Sequence, residues 1–153
     1  ICKHAIFVET GLLRAYTIDK NGKEHVIQFA AEGWIISDRG SVFFNEPSTI
    51  FIDAIEDSNV VLIDENFNCN AAEISASFCL NNELALQKHI YHLQQRINLL
   101  ISATAEERYL HFINLYPDLT LRVPQWMIAS YLGITAESLS RVRRNLADKN
   151  FNE

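Results

Sequence analysis

Residues 125–144, near the C-terminal end, constrain the fold more than any other stretch; they read QWMIASYLGITAESLSRVRR. They predict two helices joined by a turn at Gly133, because glycine readily adopts the positive φ that such a turn requires. Ala129 is small at the point where two crossing helices must approach closely. The apolar positions expected to face inward are Ile128, Leu132, Ile134, Leu139 and Val142. This pattern is typical of a helix-turn-helix that lays its second helix in the DNA major groove; an ordinary corner between two helices is the alternative.

The distribution of charge decides whether an acidic chain can bind DNA. The net charge of −6 arises within residues 1–70, where five Lys and Arg stand against eleven Asp and Glu. Residues 71–102 and 103–153 are each balanced, and three arginines gather on the predicted second helix: Arg141, Arg143 and Arg144. A local basic face suffices as an electrostatic footprint for DNA, so the acidic first part must lie away from it.

The length, the composition and the cysteines limit the classes of protein to which the chain can belong. The 153 residues suffice for one domain or two small ones, and 48% hydrophobic with 21% charged residues is a globular composition. No apolar run approaches the ~20 residues of a membrane span, and no signal peptide is visible. The scattered Cys2, Cys69 and Cys79 indicate a cytoplasmic location and argue against zinc or disulfides.

The first 63 residues alternate between short β-prone runs and turns. Asn21-Gly22 lies between residues 12–18 and 25–30 and is a strong hairpin signal. The further predicted strands are residues 41–44, 49–55 and 59–63, with a turn at 45–48. Such spacing predicts a small sandwich or a barrel-like roll. The interior of a roll either holds a small ligand or is simply a packed core.

Residues 75–102 contain neither proline nor glycine and form the longest helical pattern, preceded at 64–74 by a connection with a helical turn. Apolar residues recur in this helix with the 4-3-4-3 spacing of a coiled-coil seam. They are Leu86, Ile90, Leu93, Ile97 and Leu100. We expect the helix to dimerise; packing against its own roll is the alternative explanation of the stripe.

The remaining signals divide the C-terminal part. A capping box at Thr104 and Glu107 starts a helix that ends before Pro117. Residues 119–123 are short and β-prone, Pro124 fits the first turn of the next helix, and Thr135 can cap the last one. The predicted domains are a sensor roll (1–70), a dimerisation helix (71–103) and a DNA-binding domain (104–153).

The order of these parts resembles the CRP/FNR family of bacterial transcription regulators, in particular its shorter Bacteroidetes-type members. The stretches that carry the resemblance are GLLR (11–14), NGKE (21–24), AIEDS (54–58), AEERY (105–109) and residues 122–146. It implies an α+β chain with an N-terminal antiparallel β-roll of the cyclic-nucleotide-binding type, a long dimerisation helix and a C-terminal winged helix-turn-helix. It further implies strands before Ile1 and a homodimer that regulates transcription, with double-stranded DNA and RNA polymerase as partners.

The family reads DNA through a Glu and an Arg four residues later, here Glu137 and Arg141, with Ser140 completing the FNR-branch arrangement. Glutamate can accept from cytosine N4, and arginine can donate to guanine O6 and N7. Ala136 stands where the CRP branch has an Arg, so we expect a TTGA-like core. The expected phosphate contacts are Thr135, Ser138, Arg143 and Arg144. As alternatives, Glu137 complements the helix dipole and Arg141 pairs with it across one helical turn.

The resemblance also implies a degenerate effector pocket, at Ser37, Asp38, Ser48 and Thr49. Ser48 cannot replace the guanidinium that would hold a cyclic phosphate, so we expect no tight cAMP binding, and the effector stays unknown. Three dispersed cysteines do not suffice for an iron–sulfur cluster. His89 and His92 fit exposed helix histidines better than a haem or metal site.

Two functions of other classes compete with a DNA-binding regulator. A module that binds a cyclic nucleotide or another small molecule without a DNA role leaves residues 122–146 unexplained. A cupin-like metalloenzyme needs clustered His and carboxylate ligands, but residues 1–70 hold only His4 and His25. No catalytic triad, glycine-rich phosphate loop or paired-carboxylate motif is present, so we expect neither enzymatic activity nor a cofactor or metal.

Overall fold

The computed structural model describes residues 1–64, 66–67, 70–71 and 75–151. They form two compact units, Ile1–His89 and Ile90–Glu153. The strands are β1 (Ala5–Thr10), β2 (Leu13–Ile18), β3 (Glu24–Ala30), β4 (Ile35–Ile36), β5 (Phe51–Ala54) and β6 (Asn59–Ile63). The helices are α1 (Arg39–Phe44), α2 (Ala76–Ser102), α3 (Ala105–Leu115), α4 (Leu119–Arg122), α5 (Gln125–Leu132) and α6 (Ala136–Phe151). The three-domain division stays a prediction.

The first unit contains two small antiparallel sheets, with strand orders β4-β1-β6 and β3-β2-β5. The predicted hairpin joins β2 to β3: the Asp19 N–H donates to the Lys23 carbonyl at 2.9 Å, and Gly22 has a φ of 79°. Apolar side chains of both sheets pack into one core: Val8, Leu13, Ala15, Ala30 and Ile36. This is a small β-roll with a packed interior.

The predicted strand at residues 41–44 is wrong, because this segment is part of helix α1. Its β-prone character came from Val42, Phe43 and Phe44, but both phenylalanines are exposed. Two local capping interactions favour the helix instead. Asp38 accepts from the Ser41 N–H at the N-terminus, and Asn45 takes the left-handed conformation (φ 58°) that ends it.

The β-prone segment 119–123 is also helical, as the single turn α4. Leu119 and Val123 are 3% and 4% exposed, whereas Leu121 between them is 91% exposed. Residues four apart share one face of a helix, and the Val123 N–H donates to the Leu119 carbonyl at 2.9 Å. Burial of two residues at helical spacing therefore decides the conformation against local β propensity.

The long helix and the capped helix after it are confirmed as α2 and α3. At the start of α3 the Glu107 N–H donates to Thr104 Oγ1 at 3.3 Å, and the Thr104 N–H donates back to Glu107 Oε2 at 2.7 Å. The predicted connection at 64–74 lies partly outside the described residues. Among the described residues, no helix combines the length and apolarity required to cross a membrane.

Candidate nucleic-acid interface

The turn between α5 and α6 has the predicted geometry. Gly133 adopts the left-handed conformation with a φ of 67°, and its N–H points to the Ala129 and Ser130 carbonyls. The Ile134 N–H donates to the Ala129 carbonyl at 3.0 Å, which satisfies carbonyl groups that the helix end leaves open. Ala129 is buried. The predicted turn at Gly133 and the small buried residue are both confirmed.

Helix α6 has one buried and one exposed face. Leu139 is fully buried and Val142 nearly so, as are Ile128 and Leu132 of α5. At 100° per residue, Glu137, Arg141 and Arg144 share the side opposite Leu139. We call these three residues the outward face of α6. Packing of the apolar positions thus turns charged side chains toward solvent.

The predicted DNA contacts all lie on α6 or at its N-terminus. Apart from Ser138, which is half-buried, they are exposed: Thr135, Glu137, Ser140, Arg141, Arg143 and Arg144. Their roles on DNA stay predictions. Between residues 104 and 151 every described element is a helix, so the wing of the predicted winged motif also stays a prediction.

The Glu137 carboxylate is held in its ionised form. Its own backbone N–H and the Thr135 hydroxyl bond to it, and these hydrogen bonds lower its pKa below the usual range. An ionised carboxylate only accepts hydrogen bonds. Glu137 is therefore a defined acceptor at neutral pH, as contact with a cytosine amino group requires.

The hydroxyls of Thr135 and Ser138 are already engaged within α6. The Ser138 N–H donates to Thr135 Oγ1 at 3.2 Å, which confirms Thr135 as the N-cap. Thr135 Oγ1 lies 3.2 Å from Ser138 Oγ, and Arg141 Nη2 lies 3.4 Å from the same Ser138 oxygen. Arg141 thus contacts Ser138, and no ion pair joins it to Glu137 in the described part of the chain.

Arg108 contacts the end of α5, a role that the sequence pattern does not predict. Its Nε donates to the Ala103 carbonyl at 3.1 Å, and its Nη1 donates to the Leu132 carbonyl at 3.0 Å. Arg108 of α3 thereby binds the C-terminal end of α5. Its place in the AEERY stretch was the available signal, but nothing local indicates a partner 24 residues away.

In the first unit, three of the four predicted effector residues meet around Asp38, in a segment that we call the Asp38 loop (37–49). Ser48 Oγ donates to Asp38 Oδ2 at 2.9 Å, and the Thr49 N–H donates to the same oxygen at 3.2 Å. Burial raises the pKa of Asp38, but hydrogen bonds from Ser48 and from backbone N–H groups outweigh it, so the pKa lies below its usual value. Ser37 precedes this cluster and is half-buried.

The side chain of Arg39 lies over the ring of Phe43. Its guanidinium lies 5.5 Å from the centroid of the Phe43 ring. The Asp38 loop therefore presents a carboxylate to the backbone donors at the start of α1, with no arginine in the position of Ser48. This arrangement is the reverse of a phosphate site, where donors are left open for an anion.

The apolar seam of α2 is largely open to solvent. Leu86 is half-buried, and the other four positions are between 39% and 58% exposed: Ile90, Leu93, Ile97 and Leu100. Apolar side chains aligned on one helix face are typical of a surface that another helix covers. Dimerisation itself stays a prediction.

Metal ligands do not cluster in the described part of the chain. There, no group of three or more His, Cys, Asp or Glu residues is placed to hold a metal ion. His92 packs its ring edge-on against Tyr91 at 5.7 Å. His25 contacts Asp19 at 3.0 Å and lowers the pKa of that carboxyl to about 2.

The fold is similar to several solved structures over nearly the whole chain. FixK2 from Bradyrhizobium japonicum is 23% identical, with a TM-score of 0.76, over 97% of this chain and 76% of its own. A CooA mutant from Carboxydothermus hydrogenoformans is 21% identical, with a TM-score of 0.75, over 96% and 68%. A transcriptional regulator of the CRP/FNR family from Eubacterium rectale is 17% identical, with a TM-score of 0.65, over 97% and 71%.

The chain thus shares its fold, a β-roll followed by a long helix and a helical C-terminal part, with these solved structures. More specifically, it is the fold of the CRP/FNR family, so the family resemblance is confirmed at the level of the fold. Two of the structural neighbours are named as regulators, one of them as a transcriptional regulator. The sequence matches no family model, and no curated protein sequence matches it.

Proposed function

We propose that the chain is a sequence-specific DNA-binding transcription regulator that acts as a homodimer, with α6 in the major groove. The observation that carries this proposal is the outward face of α6. An ionised carboxylate acceptor and a guanidinium donor stand exposed on one side of a helix whose other side is buried. A recognition helix requires this division of its two faces. The part formed by residues 104–153 acts as the winged helix-turn-helix domain.

The residues of α6 divide into two roles. Glu137 accepts from cytosine N4, Arg141 donates to guanine O6 and N7, and Ser140 lies beside them, so these three read bases. The contacts that hold register on the DNA backbone are made by Thr135, Ser138, Arg143 and Arg144. Arg143 and Arg144 are both exposed, and residues 103–153 as a whole carry no net negative charge that would repel DNA. Both observations support this assignment.

The homodimer forms through the α2 seam. Covering exposed apolar side chains stabilises association by about 25 cal/mol per Å² removed from water. Two recognition helices related by twofold symmetry would then bind half-sites about one helical turn apart. The target is accordingly a near-palindrome.

The roll acts as an effector or dimer-stabilising domain that does not bind cAMP tightly. The Asp38 carboxylate already accepts hydrogen bonds from the Ser41 N–H at the start of α1 and from the Thr49 N–H. A phosphate placed there would meet a negative charge and no compensating guanidinium. Calorimetry with cAMP should therefore give no micromolar binding, and such binding would contradict this part of the proposal.

The test of the DNA role is selection of bound duplexes from a random pool, followed by mobility shifts on the selected site. We expect an enriched near-palindrome and an affinity that falls steeply with rising salt, since phosphate contacts release counterions. A pool without enrichment, or binding that is insensitive to salt, would contradict the proposal and favour the small-molecule module.

The test of the dimer is a charge placed in the seam. Ile97→Glu should convert a dimer to a monomer in analytical ultracentrifugation, because a carboxylate buried between two helices loses its hydration. Gln94→Glu adds the same charge at an exposed polar position of the same helix and should leave the dimer intact. An Ile97→Glu chain that still sediments as a dimer would exclude the seam.

A further inference from the structure

Two guanidinium groups bind the C-terminal end of α5, the first helix of the pair that carries the outward face. The last carbonyls of a helix have no partner within it. Arg96 Nη2 of α2 donates to the Tyr131 carbonyl at 3.1 Å, and Arg108 Nη1 of α3 donates to the Leu132 carbonyl at 3.0 Å. Cations at this end also complement the helix dipole. The end of α5 is therefore tied to α2 and α3.

Arg96 makes a second contact with the same residue. Its guanidinium carbon lies 4.1 Å from the centroid of the Tyr131 ring, and that ring packs against Phe112 at 5.5 Å and Tyr116 at 6.1 Å. Arg96 is half-buried, and this burial lowers the pKa of its guanidinium. Among cations, a planar guanidinium is suited to stack on a ring and donate to a carbonyl together.

Leu100 lies close to the α5–α6 turn, one helical turn further along α2 than Arg96. A Cβ added at Gly133 would lie 3.2 Å from Leu100 Cδ2 and 3.6 Å from Arg108 Nη1. The last turns of α2 thus approach the turn between α5 and α6. The glycine that sets this turn also leaves room for Leu100. This seam residue therefore also borders the turn of the α5–α6 pair.

We propose that Arg96 is a positioning residue that fixes the orientation of the α5–α6 pair on the C-terminal half of α2, and thereby sets the half-site spacing that a dimer accepts on DNA. The last step rests on the proposed function. Two recognition helices fit successive major-groove faces only at a defined separation. Because each pair is tied to its long helix through Arg96, loosening that tie should widen the range of accepted spacings.

The first arm of the test measures orientation without DNA. Spin labels at Asn98→Cys on α2 and Asn145→Cys on α6 report their separation, with the native cysteines replaced by serine; both sites are exposed. The labelled chain is mixed with an excess of unlabelled chain, so that each dimer holds at most one labelled protomer and only the distance within that protomer is measured. We expect one narrow distance distribution with Arg96 and a broadened one with Arg96→Met. Lys88→Met, which removes an exposed cation from the first half of the same helix, is the matched control and should leave the distribution narrow.

The second arm measures spacing preference on DNA. Duplexes carry two copies of the selected half-site at the preferred spacing or shifted by one and two base pairs. The unsubstituted chain should prefer its spacing by about tenfold, within the range typical of coupling between sites, and Arg96→Met should reduce that preference to about twofold or less. Binding to a duplex with one half-site should change little. Where Arg96→Met does not fold, Arg96→Lys, which keeps the charge but lacks the planar face, takes its place.

The outcomes separate the two claims. A broadened distribution with lost spacing preference supports the positioning role. An unchanged distribution overturns it, and so does a spacing preference that persists in Arg96→Met. If the unsubstituted chain selects no DNA sequence, the proposed function fails, and the distance distribution alone then decides whether Arg96 orients the pair.

Discussion

Two regions of the molecule carry a carboxylate at the start of a helix, and they use it differently. Asp38 is 8% exposed and accepts from Ser48 Oγ and from the N–H groups of Ser41 and Thr49. Glu137 is exposed, and the groups that lower its pKa are its own N–H and the Thr135 hydroxyl. The first carboxylate joins distant parts of its loop. The second keeps most of its surface open.

This difference separates a polar group that holds the fold from one that is available to a partner. A buried carboxylate must have its hydrogen bonds supplied by the protein, and removal leaves donors unsatisfied. An exposed carboxylate or guanidinium at the surface contributes little to stability. We therefore expect substitutions in the Asp38 loop to change the free energy of unfolding, and substitutions on the outward face of α6 to change DNA affinity.

The largest expected effect is that of Asp38→Ala on stability. It removes the N-cap of α1 and leaves the N–H of the buried Ser41 without its acceptor, so the free energy of unfolding should fall by about 3 kcal/mol. Urea unfolding followed by circular dichroism measures this. Asp57→Ala, which removes an exposed carboxylate of the same unit, should change it by less than about 0.5 kcal/mol. Equal losses of stability in Asp38→Ala and Asp57→Ala would contradict the stabilising role of the Asp38 carboxylate.

The next effect is the loss of base recognition in Arg141→Ala. Affinity for the selected duplex should fall by about 2 kcal/mol and specificity should relax, with little change in unfolding. Arg143→Ala is the matched control: as a phosphate contact it should weaken selected and random duplexes alike and reduce the salt slope by about 1. Mobility shifts at several salt concentrations distinguish the two. An equal loss on both duplexes in Arg141→Ala would contradict its base-reading role.

The same distinction between local and distant interactions explains what the sequence could predict. The Gly133 turn, the Thr104 capping box and the Asn21-Gly22 hairpin rest on contacts between residues up to five apart, and all three are present. The geometry of Asp38 depends on Thr49, eleven positions later. That contact is invisible to local propensity. The strand predicted at 41–44 has a different cause, because the β propensity of its aromatic residues is outweighed by the helix caps at Asp38 and Asn45.

In the C-terminal unit, the turn at Gly133 could be predicted from the sequence, but the contacts that Arg96 and Arg108 make with the end of α5 could not. Arg96 comes directly before the seam residue Ile97 in the sequence. The apolar periodicity of α2 predicts the position of Ile97, but it does not predict what Arg96 contacts. Its contact with Tyr131 spans 35 positions and becomes visible only when the helices have packed. Exposure of α6, in contrast, follows from its own apolar spacing. Recognition residues could therefore be predicted earlier than the residues that orient them.

The smallest expected effect tests whether Thr135 belongs to the fold or to the DNA contact. Thr135→Ala removes the acceptor of the Ser138 N–H, so the free energy of unfolding should fall by about 1 kcal/mol, the typical contribution of an N-cap. Thr135→Ser keeps a hydroxyl and should retain most of that stability. Both variants are then compared on DNA under conditions where each is fully folded. If folded Thr135→Ala binds DNA normally, Thr135 acts as a cap alone. If the affinity of the folded variant falls and Thr135→Ser restores it, the hydroxyl also contacts the DNA backbone, as proposed.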